Sequence, residues 1–156
     1  MGKRNLGEKI HVVPLVAAAN LSSTTSTTGI NMGLFNQVEF IIALGDLATA
    51  DFTLTVWNST TTAAGTAIAF EYRVSAAAGT DTMGDVTASE STGLALTNTT
   101  YDNKVVIVSV DSDALTDTYK YIGVTMTAGS SATAYCSIAA LCYPRYPQKT
   151  PSLALT

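Results

Sequence analysis

The chain has 156 residues, of which 47% are hydrophobic and only 13% are charged, and its formal net charge is −4. This length and apolar content favour one folded domain with its own core and disfavour a disordered chain. No stretch approaches the ~18 uninterrupted apolar residues of a membrane span, and the acidic balance disfavours phosphate binding, so we expect neither a membrane nor a nucleic-acid partner.

Apolar and polar residues alternate along most of the chain, which predicts half-buried antiparallel strands. In chain order, strands are expected in KIHVVPLV, QVEFIIAL, DFTLTVW, TAIAFEYRV, TGLAL, KVVIVSVD, YKYIGVTM and ATAYCSIAALC. The predicted buried faces are Val38, Phe40, Ile42 and Leu44; Phe52, Leu54 and Val56; Val106, Val108 and Val110; Ile122, Val124 and Met126; and Cys136, Ile138, Ala140 and Cys142.

The segments between the strands are rich in turn-forming residues, as in LGDLATAD, SAAAGTDTMGD, NTTYDN and TAGSSAT. Only SDALTD is predicted to form a helical turn, and NLSSTTSTTGIN is expected to be a connection or an extended edge. Eight or so short strands predict a single all-β domain, an antiparallel β-sandwich that is jelly-roll-like. We place this domain at residues 10–142, between a basic N-terminal arm (1–9) and a proline-rich C-terminal arm (143–156).

Residues that carry catalysis or bind metals are scarce. His11 is the only histidine, and no G-x-S-x-G motif accompanies it. Cys136 and Cys142 are six residues apart, or ~20 Å along a straight strand, so we expect buried thiols rather than a disulfide. The run DSDALTD lacks the glycine and final glutamate of a calcium loop. We therefore expect no catalytic residue, metal site or cofactor.

The two ends of the chain are basic, whereas the body between them is acidic. Five of the eight basic residues lie in the terminal segments, and YPRYPQKTP near the end holds three of the four prolines. Proline fixes φ, which favours an extended C-terminal arm, and we expect this arm to dock on an acidic neighbour. We also expect that the arm can be deleted without unfolding the domain. The alternatives are that the segment is a plain tail and that the basic ends serve only to keep the protein soluble. The candidate interface residues are Lys3, Arg4, Lys9, Pro14, Tyr143, Pro144, Arg145, Tyr146 and Pro147, with Arg145 expected to pair with a carboxylate.

Three aromatic residues, Trp57, Tyr119 and Tyr121, are predicted to point away from the core. Outward aromatic rings stack on sugars in carbohydrate-binding modules and adhesins, which makes such a module one alternative function. Aromatic residues are also enriched at protein interfaces, so covering a sheet or a subunit contact is the competing interpretation.

The order of the segments FNQVEFIIALGDLATADFTLTVWNST, FEYRVSAAAGTDTMGD and CYPRYPQ resembles the head decoration, or cement, proteins of tailed bacteriophages. The resemblance extends over roughly residues 8 to 148. It implies a β-rich, non-enzymatic protein that is made in the host cytoplasm and binds the outer surface of the virion head. Its implied partners are the major capsid protein and itself, as a homotrimer that braces neighbouring capsomers. A head-tail connector or a tail structural protein is the alternative within the same class.

Overall fold

The computed structural model describes residues 9–47, 51–115, 118–129, 133–146 and 153–156. Twelve strands lie in this part of the chain: β1 (His11–Leu21), β2 (Thr25–Ser26), β3 (Ile30–Asn31), β4 (Phe35–Leu47), β5 (Phe52–Ser59), β6 (Thr66–Ile68), β7 (Phe70–Val74), β8 (Thr87–Ser89), β9 (Leu94–Leu96), β10 (Val105–Asp111), β11 (Tyr121–Ala128) and β12 (Ala134–Pro144). One helical turn covers Asn98–Tyr101, and a 3₁₀ turn covers Ser112–Ala114.

The strands form two antiparallel sheets that pack into a sandwich. Sheet A has the strand order β1-β12-β4-β10-β7-β8. Sheet B is built on the pair β11 and β5, with β2 and β3 on the outer edge of β11 and with β6 and β9 on the outer edge of β5. The all-β sandwich predicted from the alternation is confirmed, and the jelly-roll-like connectivity stays a prediction.

One continuous core fills the space between the sheets. Phe40 and Ile42 from sheet A are fully buried, as are Leu54 and Val124 from sheet B. Every face that the alternation predicted to be buried is buried. The burial of these large side chains is the main favourable contribution to folding, at about 25 cal/mol per Å² of apolar surface.

The segment TAIAFEYRV, predicted as one strand, is two strands in different sheets. The chain leaves strand geometry at Ala69, so that β6 pairs with β5 in sheet B and β7 pairs with β10 in sheet A. Alternation of side chains continues through such a corner, and the pattern alone therefore could not reveal it. The short strand β8 was not predicted, and the helical turn in NTTYDN replaces a predicted simple turn, whereas the helical turn in SDALTD is confirmed.

The polar run NLSSTTSTTGIN was predicted to be either a connection or an extended edge, and it forms an extended edge. It carries the chain from sheet A to sheet B, where β2 and β3 both pair with β11. Between them, the buried Thr27 donates its backbone N–H to the carbonyl oxygen of Val124 at 2.9 Å, and its Oγ1 accepts from the Val124 N–H at 3.0 Å. These two hydrogen bonds hold the crossing segment against sheet B.

The C-terminal segment is more closely joined to the body than an extended arm would be. β12 continues two residues past the predicted boundary, with Tyr143 opposite Gln37 and Pro144 as its last residue. Proline is tolerated there because the pairing with β1 already ends at Cys142, so no partner on that side requires an N–H. The buried Ala154 then returns to the body, and its carbonyl oxygen accepts from the Asn31 N–H at 2.7 Å.

Candidate interaction surface

The outer face of sheet A, opposite the core, carries a patch of apolar side chains. Pro14, Ala139, Ile41 and Ile107 lie opposite one another across β1, β12, β4 and β10. Together with the apolar outward residues of the adjoining rows they form a surface that we call the outer band: Val12, Pro14, Ile41, Ala43, Val105, Ile107, Ala139 and Leu141. The same two rows also contain the polar residues Ser137, Glu39 and Ser109. Val12 and Pro14 are exposed and the other six are half-buried. The outward face of a solvated antiparallel sheet normally carries polar side chains, so this face has the composition of a contact surface.

Polar residues continue the row of the outer band that begins with Val12 and Leu141. Glu39 lies between Leu141 and Ser109 in the sheet, and its Oε2 accepts a hydrogen bond from the Tyr143 hydroxyl at 2.8 Å. This hydrogen bond is the main reason that the pKa of Tyr143 lies above its usual value, with burial as a further cause. The pair fixes two side chains beside the band, so the edge of the surface is pre-organised.

The structure places two of the predicted interface residues on this surface and separates the others. Pro14 belongs to the outer band, and Tyr143 borders it. Tyr146, which is 75% exposed, and Lys9 lie at the ends of the described segments. Lys3, Arg4 and Pro147 lie outside the described residues.

Pro144 is the last residue of β12, and Arg145 hydrogen-bonds to the turn before β4 of the same chain. The backbone N–H of Arg145 donates to the carbonyl oxygen of Leu34 at 3.2 Å, and Nη2 donates to the carbonyl oxygen of Met32 at 3.4 Å. Arg145 therefore joins the end of β12 to the turn before β4, although its side chain stays exposed.

Apart from Pro14, the members of the outer band were not predicted from the sequence. A signal was present, because FIIAL, KVVIV and IAAL carry apolar residues at both parities of the strand. Such runs are typical of strands that are covered on both faces. Assigning each strand a single buried face left Ile41, Ile107 and Leu141 without an interpretation.

Trp57 lies outside the core cluster, on the face of β5 that was predicted, but it is not exposed, so its predicted availability for a ligand was wrong. It is 2% exposed, since the crossing segment covers this part of sheet B: a Cβ at Gly29 would lie 3.0 Å from Tyr121 Cβ and 3.1 Å from Trp57 Cη2. Tyr119 and Tyr121 are half-buried. A sugar-binding platform built on Trp57 is therefore excluded by its burial.

The described residues do not bring catalytic groups together. His11 packs edge-on against Phe35, with ring centroids 6.1 Å apart. Cys136 and Cys142 are buried free thiols, as predicted, and burial raises their pKa values to about 11 and about 12. Within the described ranges, no group of three or more His, Cys, Asp or Glu side chains is placed to hold a metal ion, and none of the helices there is long and apolar enough to span a membrane.

Comparison with protein-family models, with curated proteins and with solved structures finds no match to this chain.

Proposed function

We propose that the protein is a non-enzymatic virion structural protein that decorates the outer surface of a tailed-phage head and stabilises it by bridging capsomers. The observation that carries the proposal is the outer band, a half-exposed apolar surface that spans four strands. The resemblance of the sequence to head decoration proteins supports the same function. The partners that we propose are the major capsid protein and further copies of the chain, as a homotrimer.

The geometry favours docking through the face of sheet A rather than through its β1 edge. β1 is an edge strand, and it contains Pro14 and two register irregularities, one between Pro14 and Val16 and one between Val16 and Ala19. Proline and bulges at an edge hinder the addition of another strand. The rows of apolar side chains on the face are not blocked in this way, so we assign the main contact to them.

Binding of this kind would stabilise the assembled shell by mass action. A ligand that binds only the assembled state stabilises it by RT ln(1 + [L]/Kd), or about 2.7 kcal/mol at a hundredfold excess over Kd. Joining several copies raises the avidity by ~10² to 10⁴ without any new type of contact. A small apolar band on each copy is therefore sufficient for a firmly held coat.

The experiment is the addition of purified protein to undecorated, expanded heads. We expect saturable binding at a fixed number of copies per head. Ile41→Lys and Ile107→Lys should each weaken the binding at least about tenfold, since they place an unpaired charge in a buried contact. Val86→Lys is the matched control, because Val86 is 48% exposed and lies outside the outer band.

The results separate the proposal from its alternatives. Saturation that is lost in both isoleucine variants and kept in the Val86 variant would support the head coat and the band together. Unsaturable binding to heads, or binding only to tails, would contradict the coat. Full binding by both isoleucine variants would contradict the assignment of the band.

A further inference from the structure

We propose a second binding site: a cationic cleft that takes a carboxylate group, in particular a glutamate side chain of a partner protein. The cleft has a volume of about 240 Å³ and lies between the 3₁₀ turn, the start of β11 and the end of β12. Its walls are formed by Lys120, Arg145, Tyr119, Ser112 and the Met32–Gly33 turn. We call it the cationic cleft.

The charge of the cleft is opposite to that of the whole chain. The chain has 12 acidic and 8 basic residues, yet Lys120 and Arg145 both line this one cleft. None of the described residues that line it is acidic. Two like charges that share a cleft repel each other, and an anion between them relieves that repulsion. The arrangement therefore favours an anionic occupant.

The backbone of Lys120 and the guanidinium of Arg145 both hydrogen-bond to the same turn. Met32 donates its N–H to the carbonyl oxygen of Lys120 at 2.8 Å, and its own carbonyl oxygen accepts from Arg145 Nη2 at 3.4 Å. The N–H of Lys120 also donates to the carbonyl oxygen of Ser59 at 3.1 Å. Of the two charged groups, the Arg145 guanidinium is therefore already held by a hydrogen bond, which reduces the entropy that it loses when it binds a ligand.

The donors in the cleft fit a carboxylate. The Arg145 guanidinium has five N–H donors, of which the contact with Met32 uses one, so a pair of parallel donors remains for two carboxylate oxygens. Lys120 and Tyr119, whose side chains carry an ammonium and a hydroxyl donor, also line the cleft. Leu115 adds an apolar wall against which the methylene groups of a glutamate side chain can pack.

The surroundings disfavour a nucleic-acid backbone as the occupant. The Ser112 hydroxyl donates to Asp113 Oδ1 at 3.5 Å, which places a carboxylate next to the cleft. One carboxylate carries a single charge, which Lys120 and Arg145 together outweigh despite Asp113, whereas a chain of phosphates carries a charge on every unit and would be repelled by Asp113 and by the net charge of −4. We therefore assign the cleft to an acidic side chain of a protein.

The test is a titration of ¹⁵N-labelled protein with the acetylated tetraglutamate amide, and separately with inorganic phosphate, both at constant ionic strength. With the peptide we expect saturable shifts at the amides of Gly33, Tyr119, Lys120 and Arg145, with a Kd of roughly 1 mM. Lys120→Gln should weaken the binding about tenfold. Lys104→Gln removes the same charge at the opposite end of β10 and should leave the Kd unchanged.

Each other outcome overturns the proposal. Shifts that do not saturate, or a Kd that is the same in Lys120→Gln and in the unaltered protein, would show that the cleft is not the site. Tighter binding of phosphate than of the peptide would refute the assignment to a carboxylate. The titration needs no phage heads, so its result is independent of the proposed coat function, and the dispersion of the variant spectra reports whether the variants are folded.

Discussion

The contact between Trp57 and Gly123 gives the sharpest prediction about stability. These residues lie opposite each other in the pair of β5 and β11, and the indole ring lies across the glycine. A Cβ at position 123 would overlap Trp57 Cζ2, and it would lie 2.7 Å from Trp57 Cε2 and 2.8 Å from Thr27 Oγ1. Gly123→Ala therefore forces the ring or the crossing segment to move.

The cost of this substitution follows from how little the ring can move. Overpacking a well-packed core typically costs 1–3 kcal/mol, and we expect the upper part of that range, about 2–3 kcal/mol. The reason is that the far end of the indole is blocked by the segment around Gly29, where a Cβ would lie 3.1 Å from Trp57 Cη2. For a domain of this size each kcal/mol lowers the Tm by about 2–4 °C, so a decrease of about 4–12 °C is expected.

Urea unfolding followed by tryptophan fluorescence measures this cost directly, because Trp57 is the only tryptophan in the chain. Gly84→Ala is the matched control: its added methyl group would approach only the carbonyl oxygen of Val74, at 3.3 Å. The control should lose less than about 1 kcal/mol. If Gly123→Ala were as stable as the unaltered protein, the packing of the crossing segment over Trp57 described above would be wrong.

Two further predictions concern the buried thiols and the end of the chain. Burial raises the pKa of Cys136 from 9.0 to about 11 and that of Cys142 to about 12, so the folded state holds these protons more tightly than the unfolded state does. The two thiols should not affect the unfolding free energy below about pH 9. Above it, the unfolding free energy should fall by roughly 1.4 kcal/mol per pH unit for each thiol, as the pH rises towards the pKa of that thiol in the folded state. Cys142→Ala should make the decrease in urea midpoints between pH 9 and 11 shallower, and an unchanged slope would refute this. Deleting residues 153–156 should lower the unfolding free energy by about 1–2 kcal/mol, since it removes the buried Ala154 and its hydrogen bond to Asn31; a calorimetric Tm equal to that of the full chain would support the free arm that the sequence suggested.

The alternation of apolar and polar residues was enough to predict the inner faces of the sandwich, because the burial of every second residue is a local property of a strand. Val106 and Val108 in β10, or Ile122 and Val124 in β11, occupy the core whatever the order of the strands. The corner at Ala69 could not be predicted in the same way, since which sheet a strand joins depends on distant partners.

The candidate sites depend on the register of distant strands, and this is why the sequence revealed only part of them. Arg145 was singled out by its position among prolines, but its proximity to Lys120 arises in the fold, where the Lys120 backbone and the Arg145 side chain both hydrogen-bond to Met32. The outer band likewise arises where Ile41 and Ile107 become neighbours across β4 and β10. The apolar residues were visible in the sequence, and their assembly into one surface was not.

The most direct test of the central claim is a cryo-electron-microscopy map of decorated heads at a resolution that separates the strands. We expect density for this protein on the outer surface of the shell, with the outer band of sheet A facing the shell or a neighbouring copy. Density confined to the tail, or copies on the shell whose outer band faces solvent, would contradict it.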